Sequence, residues 1–539
     1  MLRFARALLA CTVVASLPGC GDGQKPPATT SSIAVSATPE TTNKPEPLTR
    51  ASRRLVCEGL KQELRIDAYV TRGTPALDAF SQKVATMLGH YEAATFESSG
   101  KTSASKVKAQ VIDPKTDELR ARAREAGVQE QAFGEGDEQK VTLTQGFSGF
   151  VLTYGAEREV IPFWPPENGA SFEFFLTTKM RELRDRADGI STRFGVVTGK
   201  KELRLSEKNS LAPDPGPGIS IEGVLHEYFP SYKLEEVDLR RESPIDAGLR
   251  GLIITQPGEA YTVEELRRID EFVLLGERSL VVYVSAVNLP RATPAMEAKL
   301  DLFGVDGLLG GYGIEMKKDM VLDFARGARL PVLAPDGSPT PLTYRAVPIL
   351  GEPSRDGSQL DAAFAPFLNL HAVPFPFAST LLLHPEKQPG AKLRAVARTS
   401  SQSTSITAEA LPVHPSTTWK QEGPAEPRVV AATVEGELRS AFASGPEAQR
   451  SKAPSRVLVV SSSQFLANPF ARAGNGPELP PQLQMMGTHP GDPLLLAVAK
   501  PYATEHLRTI LISFKSTLDW MNADAEWAEL GATLAAPAP

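Results

Sequence analysis

Covalent chemistry in a protein needs a nucleophile beside a base, or a set of metal ligands, and this chain is sparing with both. Its cysteines are Cys11, Cys20 and Cys57. The first two fall near the amino terminus, so only Cys57 remains for the body. That leaves no Cys-x-x-Cys pair, no cysteine cage for a metal and no disulfide framework. The histidines, His90, His226, His371, His384, His414, His489 and His506, are scattered, with no i, i+4 pair and no His-Glu-x-x-His. Ser461 to Ser463 follows a strand-like run but lacks the Gly-x-Ser-x-Gly elbow. Gly307 to Gly313 is glycine-rich, yet no Gly-Lys-Ser/Thr follows, so it is not a P-loop. The expectation is no catalytic residue, no metal, no cofactor and no ATPase within this chain.

One chemical step does have a signature. Arg3 and Arg6 precede the mostly apolar run Ala7 to Leu17, too short to span a bilayer, and Leu17-Pro18-Gly19-Cys20 is similar to a lipobox. Cys20 is therefore the expected lipidation site and new amino terminus, with 1–20 read as a lipoprotein signal peptide cut just ahead of that cysteine. Residues 21–51 are rich in Pro, Thr and Ser and nearly devoid of large apolar side chains, the composition of an extended tether. A lipid-anchored protein on the periplasmic side of a bacterial cell envelope is the localisation this implies.

The chain as a whole has the make-up of folded domains, with 41% hydrophobic and 23% charged residues. Its formal net charge of −6, without a basic run, argues against a nucleic-acid partner, because phosphate affinity comes mainly from clustered Lys and Arg. At 539 residues it should hold about three domains at ~150 residues each.

The elements that would position any site are readable in part. Leu64, Ile66, Ala68 and Val70 alternate with Arg65, Asp67 and Tyr69 as a half-buried strand. Thr74-Pro75 then opens a helix whose face is Leu77, Phe80, Val84 and Leu88 and whose end is Gly89. Val107 to Val111, a helix from Thr116 to Ala126, and a hairpin turning at Gly155 complete a β-α-β-α-β-β order. That order suits a thioredoxin-like domain over 52–168 without the redox motif. A helix over 171–186 and a strand over 194–197 begin a second, doubly wound α/β domain, taken to 400. In it Gly251 to Thr255, a Thr262/Glu265 capping box and Leu280 to Val284 form a βαβ unit. Residues 401–427 read as a polar loop, and 428–530 as a less regular α+β portion with strands over 428–434 and 456–461. A final helix is expected over 503–521, and 531–539 as a flexible tail. His226 should pack on its helix with Tyr228 and Phe229. Phe375 and Phe377 of the Pro374-Phe-Pro-Phe run should fill core between domains.

Several segments together resemble the bacterial ABC-transporter accessory family typified by the gliding-motility protein GldG. They are Gly251 to Leu266 with Ile269-Asp270-Glu271-Phe272-Val273 and Gly276, Tyr312-Gly313-Ile314, and Met320-Val321-Leu322-Asp323. They continue with Ala397 to Ser401, Glu435-Gly436 with Ser440, and Leu518-Asp519-Trp520-Met521-Asn522. The family's Gly-His-Gly-Glu-like turn reads here as Thr198-Gly199-Lys200-Lys201-Glu202, without the histidine, and its acidic Gly-Asp-Ser-Asp-Phe segment reads as Ser461 to Phe465, without either carboxylate.

The resemblance implies a flavodoxin- or class-I-amidotransferase-like second domain and a non-catalytic accessory role beside an ABC permease and a separate ATPase subunit. In such sheets ligands sit beyond the carboxyl ends of strands. Thr198, Gly199, Glu202, Gln256 and Glu259 are the candidate contacts there for a glycan or peptide. Two rivals remain: a polysaccharide- or peptidoglycan-binding scaffold without a transporter, and a degenerate amidotransferase-fold hydrolase using Ser463 or another hydroxyl, which would need a histidine and an acid beside it.

Overall fold

The computed structural model describes residues 48–530, apart from 74, 138–139, 167–171, 209, 213–217, 290–294, 334–338, 352–353, 362, 369, 443–448, 475–491, 523–525 and 528–529. The leader with Cys20, most of the expected tether, Thr74, His489 and the tail lie outside the described residues. The chain divides into two compact units, the first built mainly from the residues up to Glu173 and the second from Phe174 onward, with 60–65 and 152–159 also clustering with the second.

In the first unit the described residues open at Leu48, so that 48–51 already belong to structure ahead of the expected Ser52. Thr49 caps the short helix α1 (Arg50–Arg54) by accepting the Ser52 N–H, and Leu48 and Ala51 are buried. A π turn, Leu55–Gly59, follows. The elements then run β1 (Leu64–Val70), α2 (Pro75–Ala93), β2 (Thr95–Ser98), β3 (Lys101–Ala104), β4 (Val107–Ile112), α3 (Asp117–Glu125), β5 (Glu130–Asp137), β6 (Lys140–Tyr154) and β7 (Glu157–Ile161). The sheet order is β4-β1-β6-β5, with β7 on β6.

Two differences from the expected order have plain causes. Helix α2 runs past Gly89 to Ala93 because its buried face continues through Leu88 to Tyr91, and that burial outweighs the ~1 kcal/mol cost of one helical glycine. The added β2–β3 hairpin is almost wholly polar, so its alternation carries no signal. Its two-residue turn, Ser99-Gly100, has positive φ at both positions, the geometry that matches strand twist. Cys57 is buried, its thiol donates to the Ala94 carbonyl at 3.4 Å, and burial raises its pKa.

The second unit is mixed α/β. Helix α4 (Phe172–Asp188) leads to β8 (Thr192–Thr198), α5 (Ile221–Tyr228), β9 (Tyr232–Asp238), β10 (Gly251–Ile254), α6 (Val263–Leu274) and β11 (Ser279–Tyr283). Then come α7 (Val305–Gly311), β12 (Ile314–Met316), β13 (Leu381–Leu383), β14 (Ala391–Arg398), β15 (Val429–Gly436), β16 (Ser455–Val460) and the long α8 (Pro493–Met521). The sheet order is β12-β13-β15-β16-β11-β10-β8-β9, with β14 also on β15. Strands β9, β8, β10, β11 and β16 are mutually parallel, whereas β15 runs antiparallel to β16. Along the parallel part the chain order is second, first, third, fourth, fifth, so the direction of winding reverses between β8 and β10.

Both faces of these strands are covered, which explains their unbroken apolar runs: Leu252, Ile253 and Ile254 are fully buried, as are Leu280, Val281 and Val282. The capping box forms as expected, with Glu265 N–H donating to Thr262 Oγ1 at 3.2 Å and Thr262 N–H to the Glu265 carboxylate at 2.8 Å.

The segment read as a polar loop instead contributes two short strands. Ser403–Ile406 pairs antiparallel with Met320–Asp323, and Leu411–Pro412 pairs with Glu297–Leu300. Ser403 and Thr404 are buried, so the polar composition concealed interior positions. Helix α8 begins ten residues before the expected Ala503. Asp492 caps it, Pro493 needs no hydrogen bond at the first position, and Pro501 is accommodated within it. Phe375 and Phe377 are fully buried, but inside the second unit's core rather than between domains. On α5, Ile221 and Leu225 face inward, while His226 and Tyr228 are exposed, so His226 does not pack as expected.

Candidate functional site at the strand ends

The winding reversal places the loop after β8 beside the loop after β10, where an open α/β sheet offers a ligand crevice. All five sequence candidates lie on this rim. Gly199 adopts φ +113°, and a Cβ there would come within 2.6 Å of Asp238 Oδ1, so the sharp exit from β8 requires glycine. Gly258 and Glu259 both donate their N–H groups to the Lys200 carbonyl, at 2.8 and 3.0 Å, which stitches the two loops together.

Glu202 is buried under this stitch. Its carboxylate accepts the Lys200 N–H at 2.8 Å and the Tyr261 hydroxyl at 2.8 Å. Burial pushes its pKa above the ordinary carboxyl value, and these hydrogen bonds pull in the other direction. Gln256 is buried as well. Its side-chain carbonyl accepts the Ser285 N–H at 3.0 Å, its backbone carbonyl accepts the Leu203 N–H at 2.9 Å, and its amide nitrogen makes no hydrogen bond among the described residues. Outside lies a ring of paired charges, exposed or half-buried except for the buried Glu265. Glu259 pairs with Lys201 at 2.8 Å, and Lys200 pairs with Glu265 at 3.0 Å. Arg240 holds Asp238 in two side-chain bonds, and those bonds lower its pKa to about 2.

Sequence reasoning found the rim but missed the residues that fill it: Lys200, Tyr261 and the Asp238–Arg240 pair. The usable signal was the two lysines directly after Gly199. Functionally, the rim is a set of self-paired groups around a buried carboxylate. Tyr261→Phe should therefore cost about 1.5–3 kcal/mol at pH 8, the range for a hydrogen bond to a charged group. Without the tyrosine, the folded-state pKa of Glu202 rises further above its unfolded value. The penalty is then present once pH exceeds that folded value and disappears as Glu202 becomes neutral in both states. Urea midpoints of both proteins at pH 8 and pH 4 measure it.

A hydrolase using Ser463 would need a histidine and an acid beside it. The Ser463 hydroxyl is buried and has no hydrogen-bond partner among the described residues, histidine or carboxylate included. Among the described residues, no group of His, Cys, Asp and Glu is placed to hold a metal ion.

The segments that carried the family resemblance meet elsewhere, at three buried aspartates. Asp270 on α6 accepts the Tyr312 hydroxyl at 2.6 Å, the Ser440 hydroxyl at 2.6 Å and the Ala441 N–H at 2.9 Å. Asp323 accepts the Ser400 hydroxyl at 2.6 Å and its N–H at 2.9 Å. Asp519 accepts the Lys515 ammonium at 2.6 Å and the Tyr232 hydroxyl. Each aspartate ties together segments distant in sequence, so the shared residues are chiefly fastenings of the fold.

A family model described as "ABC-type uncharacterized transport system" matches residues 192–486, more than half of the chain and starting with the first residue of β8. No curated protein matches. Among solved structures, the chain is similar to the "mmIFT52 N-terminal domain" at 13% identity and a TM-score of 0.27, covering 51% of this chain and 89% of that one. It is also similar to the exo-beta-1,4-mannosidase Op5Man5 from Opitutaceae bacterium strain TAV5, at 10% identity and a TM-score of 0.21, covering 62% of this chain and 39% of that one. At those scores neither likeness bears on the chemistry of this chain.

Proposed function

This chain belongs to the ABC-type uncharacterized transport system family, and from that premise we propose that it is a non-catalytic, extracytoplasmic accessory subunit of the GldG type. In this reading it is tethered by a lipid on Cys20 and works beside a permease and a separate ATPase. The first unit then serves as a thioredoxin-like body without its redox pair, and the second as a flavodoxin- or amidotransferase-like body whose strand-end rim contacts a glycan or peptide. The observation that carries the reading is the coincidence of the family match with the sheet whose rim groups pair with one another. Among the described residues no helix is long and apolar enough to cross a membrane. In this reading attachment rests on the lipid: a diacylated cysteine buries many methylenes, each contributing ~0.8 kcal/mol.

Two measurements test it. Extraction in mild detergent should bring down a membrane permease with the chain, whereas retention on cell-wall glycans with no permease would replace this reading by the scaffold. Cys20→Ala should move the protein from the membrane fraction to the soluble fraction and abolish acyl labelling. A membrane-bound variant and an unlabelled parent would overturn the anchor.

A further inference from the structure

Strand β9 (Tyr232–Asp238) ends the second unit's sheet, and among the described residues no strand pairs with its far side. Its register on β8 is unbroken over all seven residues, and it holds neither a proline nor a bulge, two devices that blunt an open edge. The Thr192 N–H donates to the Ser231 carbonyl at 2.9 Å, and the Leu239 N–H to the Thr198 carbonyl at 3.2 Å. In a parallel ladder that parity joins the odd-numbered residues of β9 to β8 and turns the peptide groups of Leu234 and Glu236 outward. Toward the ends the outward groups are partly engaged. The Tyr232 N–H donates to the Phe229 carbonyl at 3.0 Å, and the Asp238 carbonyl accepts the Arg241 N–H at 3.2 Å. Lys233 and Glu236 are exposed, Leu234 is half-buried, and Lys233 has no ion pair among the described residues. Glu235 lies on the same face as Lys233 and keeps 39% of its side chain exposed, although Arg193 holds it at 2.6 Å.

We infer that β9 pairs antiparallel with β9 of a second copy of this chain, about a two-fold axis at Leu234. In that register Leu234 lies opposite itself and exchanges both of its outward hydrogen bonds with its symmetry mate. Each Glu236 N–H reaches the partner's Tyr232 carbonyl, so four backbone hydrogen bonds close the seam. Lys233 falls directly opposite the partner's Glu235, at a non-hydrogen-bonded position where side chains approach most closely, and symmetry repeats this pair. With Arg193 on that carboxylate and Asp246 on Arg193 at 2.8 Å, the charges alternate in sign across the seam. An axis one residue along would set Glu235 against itself, and two along would set Glu236 against itself, so the charges select one register. Charges that served only to keep an edge unpaired would repel a copy in every register. The pairing requires neither the lipid nor a transporter, and two copies joined this way share one continuous sheet.

The seam is small, so the association should be weak and concentration-dependent. Sedimentation of the full chain in mild detergent, from about 1 to 100 μM, should show a monomer passing to a dimer. Glu236→Pro removes one outward N–H and leaves the hydrogen bonds to β8 in place, so the dimer should be lost while the urea midpoint stays near the parent's. Lys233→Glu sets like charges opposite each other twice and should weaken the dimer by about tenfold or more. Because Lys233 is exposed, this second variant carries the test if the proline variant unfolds more readily. A monomer over the whole range would overturn the inference. So would a dimer that persists in a folded Glu236→Pro chain or is unchanged by Lys233→Glu, which is the outcome expected of copies held only by a shared micelle.

Discussion

Asp519→Ala is expected to destabilise the second unit by about 3–5 kcal/mol, the cost of breaking a buried ion pair from one side. Asp519 is fully buried near the end of α8, and two cations converge on it: Lys515 at 2.6 Å and, farther off, Arg181 at 4.0 Å. Both cations are themselves nearly inaccessible. The Lys515 ammonium lies 5.6 Å from the rings of Phe174, Phe229 and Trp527, and the Arg181 guanidinium lies 4.3 Å over Trp527. Aromatic faces offset part of the desolvation of a cation but do not replace a carboxylate. Removing Asp519 strands the Lys515 charge and takes from the Tyr232 hydroxyl the carboxylate it donates to, whereas Arg181 keeps Asp185 at 3.6 Å. Asp519→Leu combined with Lys515→Met should recover part of the loss, because one uncompensated charge leaves with its partner. Tryptophan emission under urea suits the measurement, since Trp419, Trp520 and Trp527 all lie in this unit. A single variant with the parent's midpoint would show that the pair adds nothing.

Asp270→Ala should be nearly as damaging, through hydrogen bonding rather than charge pairing. Its carboxylate receives three donors, the Tyr312 and Ser440 hydroxyls and the Ala441 N–H. Each donor left unsatisfied in the interior costs about 1–3 kcal/mol. The surroundings cannot readily collapse around the gap: a Cβ on Gly311 would already come within 2.2 Å of the Ala441 carbonyl oxygen. A loss of about 3–5 kcal/mol in the urea transition is expected on that count. Asp270→Asn, which can accept on one oxygen only, should fall between the parent and the alanine variant. Equal stability of the asparagine and alanine variants would argue that packing, not acceptance, sets the cost.

The same aspartates show where sequence reading stopped. The motif Ile269-Asp270-Glu271-Phe272 was recognisable, but its partners lie 42 and 170 residues away in the chain. Nothing local says that Tyr312 and Ser440 will arrive at the same carboxylate. The strand-end rim was legible for the opposite reason: apolar runs followed by Thr198-Gly199 and Gln256-Pro257 mark strand ends by local rules alone. The filling of that rim by Lys200 and Tyr261 was not legible, because a lysine after a turn is usually solvated. Histidine scatter and the missing elbow around Ser463 were readable directly, whereas the burial of Ser463 without a hydrogen-bonded histidine or carboxylate among the described residues was not.

Amino-acid order by itself determined the short-range features: the covered strands Gly251–Ile254 and Ser279–Tyr283, the capping box at Thr262, and the turn at Gly155. Each depends on side-chain period or on hydrogen bonds within a few residues. Tertiary structure alone decided that β8 sits between β9 and β10, that buried Ser403 and Thr404 belong to a strand, and that Asp519 meets Tyr232 from the far end of the chain. Those outcomes turn on which surfaces exclude water together. Local propensity is blind to that, because burial energy belongs to pairs of segments rather than to either one.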